Sequence, residues 1–324
     1  MNLLMISTDR GMLTPDSVVL QRQLKLLEIY EKVYIVVFAK KSFPKNLEYK
    51  DIFIFSTNSW SRVFYIWDAV IISWQIIKEK KITDITCQDP FETGLVGYIL
   101  KKFFNIKLEL QIHTDLGSPY FFKHNLLNKI RFMTAKFILP SADKVRVVSN
   151  RIYDYIKNFV LLDKIYIRPI EVGKDKIINH QITIDLHQKY PQFKKIILMV
   201  SRLESEKNIE LALQSLALIK DKDVGLVLVG DGRLRNKLQI MAEKLKLPVV
   251  FAGWVDNPID YYKTADLFLH TAWYEGYGMV LEEAKRFGLP IISTDVGVAP
   301  DLGVQMVDFN ADEIVNKIKT IFQI

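Results

Sequence analysis

The feature that most constrains the fold is a regular alternation of short β-branched runs with longer amphipathic stretches, which occurs twice along the chain. Alternation of this kind is typical of parallel sheets flanked by helices. The first series of predicted strands lies at 3–7, 33–39, 52–56, 84–87, 108–113 and 145–149, and the second at 195–201, 225–230, 249–253, 266–271 and 290–295. We therefore predict an α/β protein with two doubly wound domains.

A polar, irregular stretch separates the two series at residues 171–195. A chain of 324 residues also favours two domains over one. We predict an N-terminal domain at 1–175, a linker at 176–194 and a C-terminal domain at 195–324. Two such sheets facing each other are expected to form a binding cleft along the carboxyl ends of their strands.

The charge is distributed unevenly. The net charge is +7, but residues 1–200 hold 30 basic and 19 acidic side chains, whereas residues 201–324 hold 14 and 18. A basic N-terminal half indicates an anionic partner, either a membrane surface or a phosphorylated substrate, although a solvated basic surface explains the count equally well. Cys87 is the only cysteine, which excludes an internal disulfide and a zinc site of several thiolates.

No segment reads as a membrane anchor or a secretion signal. The first residues lack a basic region and a small-residue cleavage site. The longest apolar stretch, at 63–77, is shorter than the roughly 20 residues that a membrane span requires and is interrupted by Asp68 and Gln75. We expect a cytoplasmic protein without a transmembrane helix, with peripheral attachment to the inner face of the membrane as a further expectation.

Acidic residues surround a predicted helix start after the strand at 266–271. Glu275 precedes the helix, at the carboxyl end of the strand. Glu283 borders the apolar face of the helix and is predicted to point inward, whereas Glu282 is placed to form a surface ion pair with Arg286. An inward carboxylate near a cleft is suited to accept hydrogen bonds from vicinal hydroxyls, as on a ribose. The alternative is a plain helix cap at Glu275 followed by surface carboxylates.

A basic pair follows the first strand of the second series. Arg202 and Lys207 are predicted to emerge at the sheet edge, beside a helix that starts near Asn208. Two cations and a helix N-terminus together suit a diphosphate. The alternative is a salt-bridged turn. The run "VGDGRL", which contains Gly230, resembles a glycine-rich phosphate loop but lacks a third glycine and the P-loop lysine, so its signal is weak.

Taken in order, these motifs resemble glycosyltransferase family 4, a family of retaining, nucleotide-sugar-dependent enzymes with the GT-B fold of two facing Rossmann-like domains. The resemblance covers nearly the whole chain. It rests on "QDPFETGLVGYIL", "IHTDLGSP", "SADKVRVVS", "SRLESEKN", "LVLVGDGRL", "FAGWVDN", "YYKTADLFLHTAWYEGYGMVLEEA" and "FGLPIISTDVG".

The resemblance implies roles for individual side chains. Glu275 matches the first glutamate of the family's E-x7-E motif, near the hydroxyls of the transferred sugar, and Glu283 matches the second, on the ribose of the nucleotide. Arg202 and Lys207 match the basic pair that neutralises the diphosphate, and His113 matches a histidine facing the reaction centre. All of these except Glu283 are predicted to be catalytic.

The resemblance also implies a set of backbone contacts to the nucleotide sugar. The segment that borders the base is Gly253, Trp254 and Val255; the loop that approaches the sugar and phosphates is Gly276, Tyr277, Gly278, Met279 and Val280; Gly11 and Gly230 complete the predicted donor site.

Two departures from the family pattern stand out. Many members carry a glycine pair after the first strand, whereas this chain has Gly11 alone, so Arg10 or Asp16 is an alternative contact to the acceptor. The chain stops soon after its last predicted strand, so the helices that cross back to the N-terminal domain are expected to be short or missing.

The implied activity is transfer of a hexose-type sugar from a nucleoside diphosphate, with UDP as the expected nucleotide, to a hydroxyl acceptor with retained configuration. The expected setting is bacterial cell-surface polysaccharide, lipopolysaccharide or glycolipid synthesis. No metal or other cofactor is expected, since no Asp-x-Asp follows a predicted strand. The expected partners are the nucleotide sugar, a saccharide or lipid-linked acceptor and an anionic membrane surface, but no nucleic acid. The alternatives are a sugar-nucleotide epimerase of the same fold and a catalytically idle module that binds nucleotide sugar or membrane.

Two aromatic segments bear on the membrane hypothesis. Trp60, Trp67 and Trp74 recur at seven-residue spacing, and residues 120–139 interleave aromatic with basic side chains. Either could lie on an anionic bilayer. We expect the first to be buried core, and the sequence leaves the second open.

Overall fold

The computed structural model describes residues 1–170 and 182–324. They form two compact units: the first comprises Met1–Val148 and Ile152–Arg168, and the second comprises Ser149–Arg151 and the described residues from Pro169 to Ile324. Residues 176–181 of the predicted linker lie outside the described residues. Residues 182–194, the rest of the predicted linker, belong to the second unit. There, Thr183 donates a hydrogen bond of 2.6 Å from its hydroxyl to Asp260, and Leu186 is fully buried. The second unit therefore starts before residue 195.

The first unit contains an eight-stranded sheet in which only the first edge pair is antiparallel. The strand order is β3-β4-β2-β1-β5-β6-β7-β8, with β3 antiparallel to β4. The strands are β1 (Asn2–Ser7), β2 (Lys32–Val37), β3 (Asn46–Tyr49), β4 (Ile52–Ser56), β5 (Ile82–Cys87), β6 (Lys107–Ile112), β7 (Lys144–Val147) and β8 (Ile165–Ile167). The central strands are almost wholly buried, as expected when helices cover both faces of a parallel sheet.

The helices of the first unit connect these strands. They are α1 (Val18–Gln23), α2 (Tyr65–Glu79), α3 (Glu92–Phe103), α4 (Pro119–His124), α5 (Leu126–Ile138) and α6 (Asn150–Ile156). Helix α3 packs on β1, β5 and β6, and it also packs on α2 and α5. These three helices therefore form one layer on the same face of the sheet.

The second unit contains a six-stranded sheet that is parallel throughout. The order is β11-β10-β9-β12-β13-β14. The strands are β9 (Lys195–Val200), β10 (Val224–Val229), β11 (Val249–Gly253), β12 (Leu267–His270), β13 (Ile291–Thr294) and β14 (Gln305–Val307); the helices are α7 (Leu186–Lys189), α8 (Ile209–Leu218), α9 (Arg235–Lys244), α10 (Ile259–Thr264), α11 (Met279–Arg286) and α12 (Ala311–Phe322). Helices α8 and α12 pack against each other over one apolar core.

Each strand that the β-branched runs predict is present, with ends that differ by no more than two residues. The additional strands β3, β8 and β14 all lie at sheet edges and have three or four residues. Such short edge strands lack the continuous apolar run by which a buried strand is recognised. The two doubly wound sheets confirm the predicted fold class. Among the described residues, no helix combines the length and the apolar character that a bilayer span needs.

Candidate functional site at the edge of the second sheet

The predicted donor residues of the second unit lie in loops at one edge of its sheet. They follow β9, β10, β11 and β12, and the carboxyl ends of parallel strands share an edge. The loops after β9 and β10 touch directly: the Leu203 amide donates to the Asp231 carbonyl at 2.9 Å. Gly230 has a φ of 128°, and a Cβ atom there would lie 2.0 Å from the Ser201 carbonyl oxygen. Only glycine fits this close approach of two backbones.

An ion pair joins the loop after β9 to the loop after β12. The ammonium of Lys207 donates to Oε1 of Glu275, and the two side chains are only 12% and 16% exposed. The backbones are tied as well, because the Thr271 hydroxyl donates to the Lys207 carbonyl at 3.2 Å and the Trp273 amide donates to the Glu206 carbonyl at 2.8 Å. Hydrogen bonds between the two loops therefore fix the positions of both Lys207 and Glu275.

His270, which the sequence reasoning missed, completes this cluster. It is the last residue of β12 and is 2% exposed, and its Nε2 lies 3.3 Å from the same Oε1 of Glu275. By the geometric criteria for a hydrogen bond, Nε2 of His270 has no partner in the described part of the chain, so the contact with Glu275 is an ion-pair distance. Oε2 of Glu275 has no partner among the described residues. A polar residue at the end of the run "DLFLH" was the signal that could have identified it.

The surroundings of Glu275 control its charge. Burial raises the pKa of the carboxyl group, but the adjacent His270 and the positive charge of Lys207 outweigh burial and lower the pKa to about 2. Glu275 is thus a carboxylate throughout the physiological range. Its fixed oxygen holds the lysine, and its other oxygen is available as a hydrogen-bond acceptor.

Glu283 lies on α11 and has one oxygen held by the protein. The hydroxyl of Tyr262 donates to its Oε2 at 2.7 Å. Tyr262 is 1% exposed, and its ring stacks on Phe287 with centroids 5.6 Å apart. Burial raises the pKa of Glu283, against the hydrogen bond from Tyr262. The carboxylate is half-buried, as its position on the helix predicts, and its Oε1 has no partner in the described part of the chain.

Arg202 does not join the buried pair. Its guanidinium donates to Oε1 of Glu206 at 3.0 Å and remains 66% exposed. A second surface pair links Glu204 to Arg233. The salt-bridged turn proposed as the alternative for this segment is therefore present. Such exposed pairs contribute at most about 1 kcal/mol, so Arg202 can change partner easily.

The N-terminus of α11 lies beside Glu275. Gly278 caps this eight-residue helix with a φ of 86°, and no side chain caps it. The amides of the first turn and the helix dipole create a partial positive charge there. The loop is fixed from behind, because the Val298 amide donates to the Tyr277 carbonyl at 2.8 Å and the Tyr277 hydroxyl donates to Glu282 at 2.7 Å. The predicted contacts Gly276, Met279 and Val280 lie in the same short segment.

The segment after β11 adjoins the glycine loop. The carbonyl of Gly253 accepts a 2.7 Å hydrogen bond from the Gly230 amide. Trp254 is 70% exposed, and its indole N–H donates to Asp256 at 3.1 Å, whereas Val255 is half-buried. The structure therefore brings the predicted base-bordering residues next to the loop that contains Gly230.

Two predicted site residues lie in the first unit. Gly11 is part of a 3₁₀ turn after β1, and its amide donates to Asp9 Oδ1 at 2.9 Å. His113 follows β6, with its Nε2 3.2 Å from Oε1 of Gln111. Burial and the nearby charge of Arg146 lower the pKa of His113 to about 4. The side chain of His113 is exposed, which weakens the effect of burial, but both causes lower the pKa and favour the neutral imidazole.

Within the described ranges, no group of three or more His, Cys, Asp or Glu side chains is arranged to hold a metal ion.

Comparison with known proteins shows which families and folds this chain resembles. Residues 184–323 match the family model of glycosyl transferases group 1. An uncharacterized glycosyltransferase of Methanocaldococcus jannaschii is 24% identical over 85% of this chain and 72% of its own length. Alpha-monoglucosyldiacylglycerol synthase of Streptococcus pneumoniae is 27% identical over 68% of this chain, which spans only 53% of that relative.

Solved structures give the fold. Sucrose-phosphate synthase from Thermosynechococcus elongatus superposes with a TM-score of 0.82 at 19% identity, and HepE of Anabaena in complex with UDP and glucose with 0.74 at 18%. Both alignments cover 100% of this chain and 90% of the other chain. The chain is a glycosyltransferase with the GT-B fold, and residues 184–323 of its second unit resemble the glycosyl transferases group 1 family.

Proposed function

We propose that this glycosyltransferase belongs to family 4 and moves a hexose-type sugar from a UDP-sugar to a hydroxyl of a saccharide or lipid-linked acceptor, with retained anomeric configuration. The observation that carries this proposal is the buried contact of Lys207 and His270 with one oxygen of Glu275, beside the open N-terminus of α11. The cluster offers a cation, a helix dipole and an acceptor oxygen at one place. A sugar diphosphate needs all three.

The cationic side of the site suits the leaving diphosphate. A lysine ammonium has three N–H donors, and Lys207 directs one to Glu275; its other two have no partner among the described residues. Arg202 holds only an exposed pair with Glu206, which a diphosphate can displace. Negative charge that develops on the phosphate oxygens is stabilised by these groups and by the amides of α11. The reaction then proceeds without a metal ion.

The acidic side suits the hydroxyl groups of the donor. Glu275 and Glu283 each have one oxygen held by a protein side chain and the other without a partner in the described residues. Each free oxygen can accept hydrogen bonds, from the transferred sugar at Glu275 and from the ribose at Glu283. Tyr262 fixes the second carboxylate in advance, so less conformational entropy is lost when the nucleotide binds.

The charge state of Glu275 favours a reaction without a protein nucleophile or base. With a pKa of about 2, this carboxylate is a weak base and is already held by Lys207. The leaving phosphate is the better acceptor for the proton of the incoming hydroxyl, which attacks on the same face and retains the configuration.

The names of two similar proteins support a proposal for the biological setting. The pneumococcal relative is named for glycolipid synthesis, and one structural neighbour is a lipopolysaccharide outer core galactosyltransferase. We place the protein in cell-surface polysaccharide or glycolipid synthesis, on the inner face of the membrane.

A direct test measures donor binding and turnover together. Thermal shifts with UDP-, GDP- and ADP-linked sugars should show stabilisation by UDP-sugars, and Lys207→Met should abolish it, whereas the exposed control Lys244→Met should not. Release of UDP should depend on an added saccharide or lipid acceptor, and NMR of the product should show the configuration of the donor. Turnover without acceptor would instead identify an epimerase, and binding without any turnover would identify an idle binding module.

A further inference from the structure

Two helices of the first unit expose apolar stripes that the catalytic site does not use. On α5 the stripe consists of Leu126, Ile130, Met133 and Phe137, which are 72%, 55%, 63% and 66% exposed. The spacing of four, three and four residues puts them on one face of the helix. An apolar stripe that faces solvent reverses the usual pattern of a surface helix, and patches of this kind mark an interaction surface.

The second stripe lies on α2 and on the turn that leads into it, because Trp60 and Phe64 precede the helix and Trp67 and Ile71 lie on it. Trp60, Phe64, Trp67 and Ile71 are 77%, 43%, 67% and 44% exposed, and the rings of Trp60 and Phe64 are 6.3 Å apart. The opposite face of α2 is buried through Tyr65, Ala69, Ser73 and Ile76. The expectation that this segment is buried core is therefore wrong for Trp60 and Trp67, while Trp74 packs on Phe103 and Phe104.

Both stripes belong to the same layer of helices. Helix α2 packs on α3, and α3 packs on α5, all on one face of the sheet. The inward sides of α2 and α5 are occupied by this packing, which leaves the stripes on the outer side of the layer. We call these eight residues the outer stripes.

The charge around the outer stripes indicates their partner. Residues 119–138 contain four basic side chains and no acidic one. Arg131 is neutralised by Glu92 at 2.8 Å, on the inner side. Lys123, Lys129 and Lys136 are exposed and contact no carboxylate among the described residues. Lys129 lies 5.7 Å from the ring centroid of Phe122, and Lys136 lies 5.0 Å from that of Phe159, so both are close to aromatic surface.

We infer that the outer stripes are a docking surface for an anionic lipid bilayer. Apolar side chains would enter the boundary between headgroups and acyl chains, tryptophans would lie at headgroup depth, and the lysines would contact lipid phosphates. A second copy of this chain fits less well, because apposed copies of α5 would bring these lysines together without carboxylates to pair with them. The inference deepens the proposed function by placing the lipid-linked acceptor and the enzyme on one surface, but the surface itself does not depend on that function.

Vesicle flotation tests the surface with matched variants. The full chain is expected to float with vesicles of phosphatidylcholine and phosphatidylglycerol, and much less with phosphatidylcholine alone. Ile130→Ser with Phe137→Ser should lower the partition coefficient at least about tenfold, since each buried methylene contributes about 0.8 kcal/mol to insertion. The control Ile240→Ser with Leu245→Ser changes exposed apolar residues of the second unit and should have no effect.

The electrostatic part has its own variant. Lys129→Gln with Lys136→Gln should weaken binding to the anionic vesicles about fivefold per lysine and leave binding to phosphatidylcholine unchanged. UDP-sugar binding, measured by thermal shift, should be retained in all three double variants, which shows that they fold and separates this test from that of the proposed function.

Two results would overturn the inference. One is a wild-type chain that does not bind anionic vesicles although it binds UDP-sugar. The other is a dimer in light scattering that Ile130→Ser with Phe137→Ser converts to a monomer while flotation stays unchanged, since this would assign the stripes to a second copy. Loss of UDP-sugar binding with intact flotation would contradict the proposed function alone.

Discussion

Replacement of Lys207 by methionine tests the central electrostatic claim. The side chain keeps a similar length but loses the cation, so Glu275 keeps its charge in a largely buried position with only His270 beside it. A buried ion pair that loses one partner leaves an uncompensated charge, which typically costs several kcal/mol. The effect is therefore expected on stability as well as on donor binding.

The pKa of Glu275 sets the size of the effect. The difference between the ordinary value of 4.5 and about 2 in the folded protein corresponds to about 3 kcal/mol. His270 supplies part of this, so we expect Lys207→Met to reduce the free energy of unfolding by about 2 kcal/mol at pH 7. Because the folded-state pKa lies below the unfolded one, this stabilisation is complete above pH 4.5 and is lost as the pH falls toward 2. The difference between wild type and variant should therefore narrow below about pH 4.5.

The difference in the free energy of unfolding between wild type and Lys207→Met can be measured by urea denaturation at pH 7 and near pH 3. Hydrogen exchange of the β12 amides then reports on the second unit alone. Lys244→Met removes an exposed cation from α9 in the same unit and should change stability by less than about 0.5 kcal/mol. A loss for Lys207→Met as small as that of the control would refute the reasoning. So would an equal loss at both pH values, because the stabilisation would then not depend on the ionised carboxylate.

Three further tests use substitutions at other positions of the second unit. Gly297→Ala should lower the free energy of unfolding by more than about 3 kcal/mol, because the φ of Gly297 is 52° and the new Cβ would lie 2.2 Å from the Tyr277 carbonyl oxygen. Gly303 has a similar φ of 62° but no atom near its Cβ position, so Gly303→Ala should cost only about 1 kcal/mol. Equal decreases in melting temperature for the two variants would contradict this prediction. Tyr262→Phe removes the donor to Glu283 and should raise the KM for the UDP-sugar about tenfold with little change in kcat, and an unchanged KM would exclude the ribose contact. His270→Ala should lower kcat about tenfold, and His270→Gln should lower kcat less, because glutamine keeps a polar group at this position. Equal losses of kcat in the two variants would mean that His270 contributes only by packing.

The outward position of the tryptophans shows why exposure is hard to read from a pattern. Seven-residue spacing predicts one helical face for Trp60, Trp67 and Trp74, but Trp60 precedes the helix and Trp74 packs on Phe103 and Phe104. Periodicity also does not say which face of the helix is covered. Packing of α2 on α3 buries the opposite side, with Tyr65 and Ala69. The expectation that the tryptophan face is buried was wrong. The free energy of transfer favours burial of either apolar face of α2, and the position of α3 decides which of the two faces is buried.

The sequence by itself determined the two sheets, the order of loops at the edge of the second and the position of Glu275 before a helix. These follow from local physics: strand and helix periods, positive-φ glycines, and the rule that carboxyl ends of parallel strands share an edge. The inward direction of the Glu283 side chain was also predictable from the sequence, because Glu283 borders the apolar face of α11.

Only the tertiary structure decided which groups meet. Lys207 and Glu275 are 68 residues apart, and their contact depends on β12 lying next to β9, which no local pattern specifies. The same neighbourhood adds His270, gives Glu275 its low pKa and leaves Arg202 outside the buried pair. Burial and the distances between charges are properties of the packed chain, and together they determine the electrostatics on which the chemistry depends.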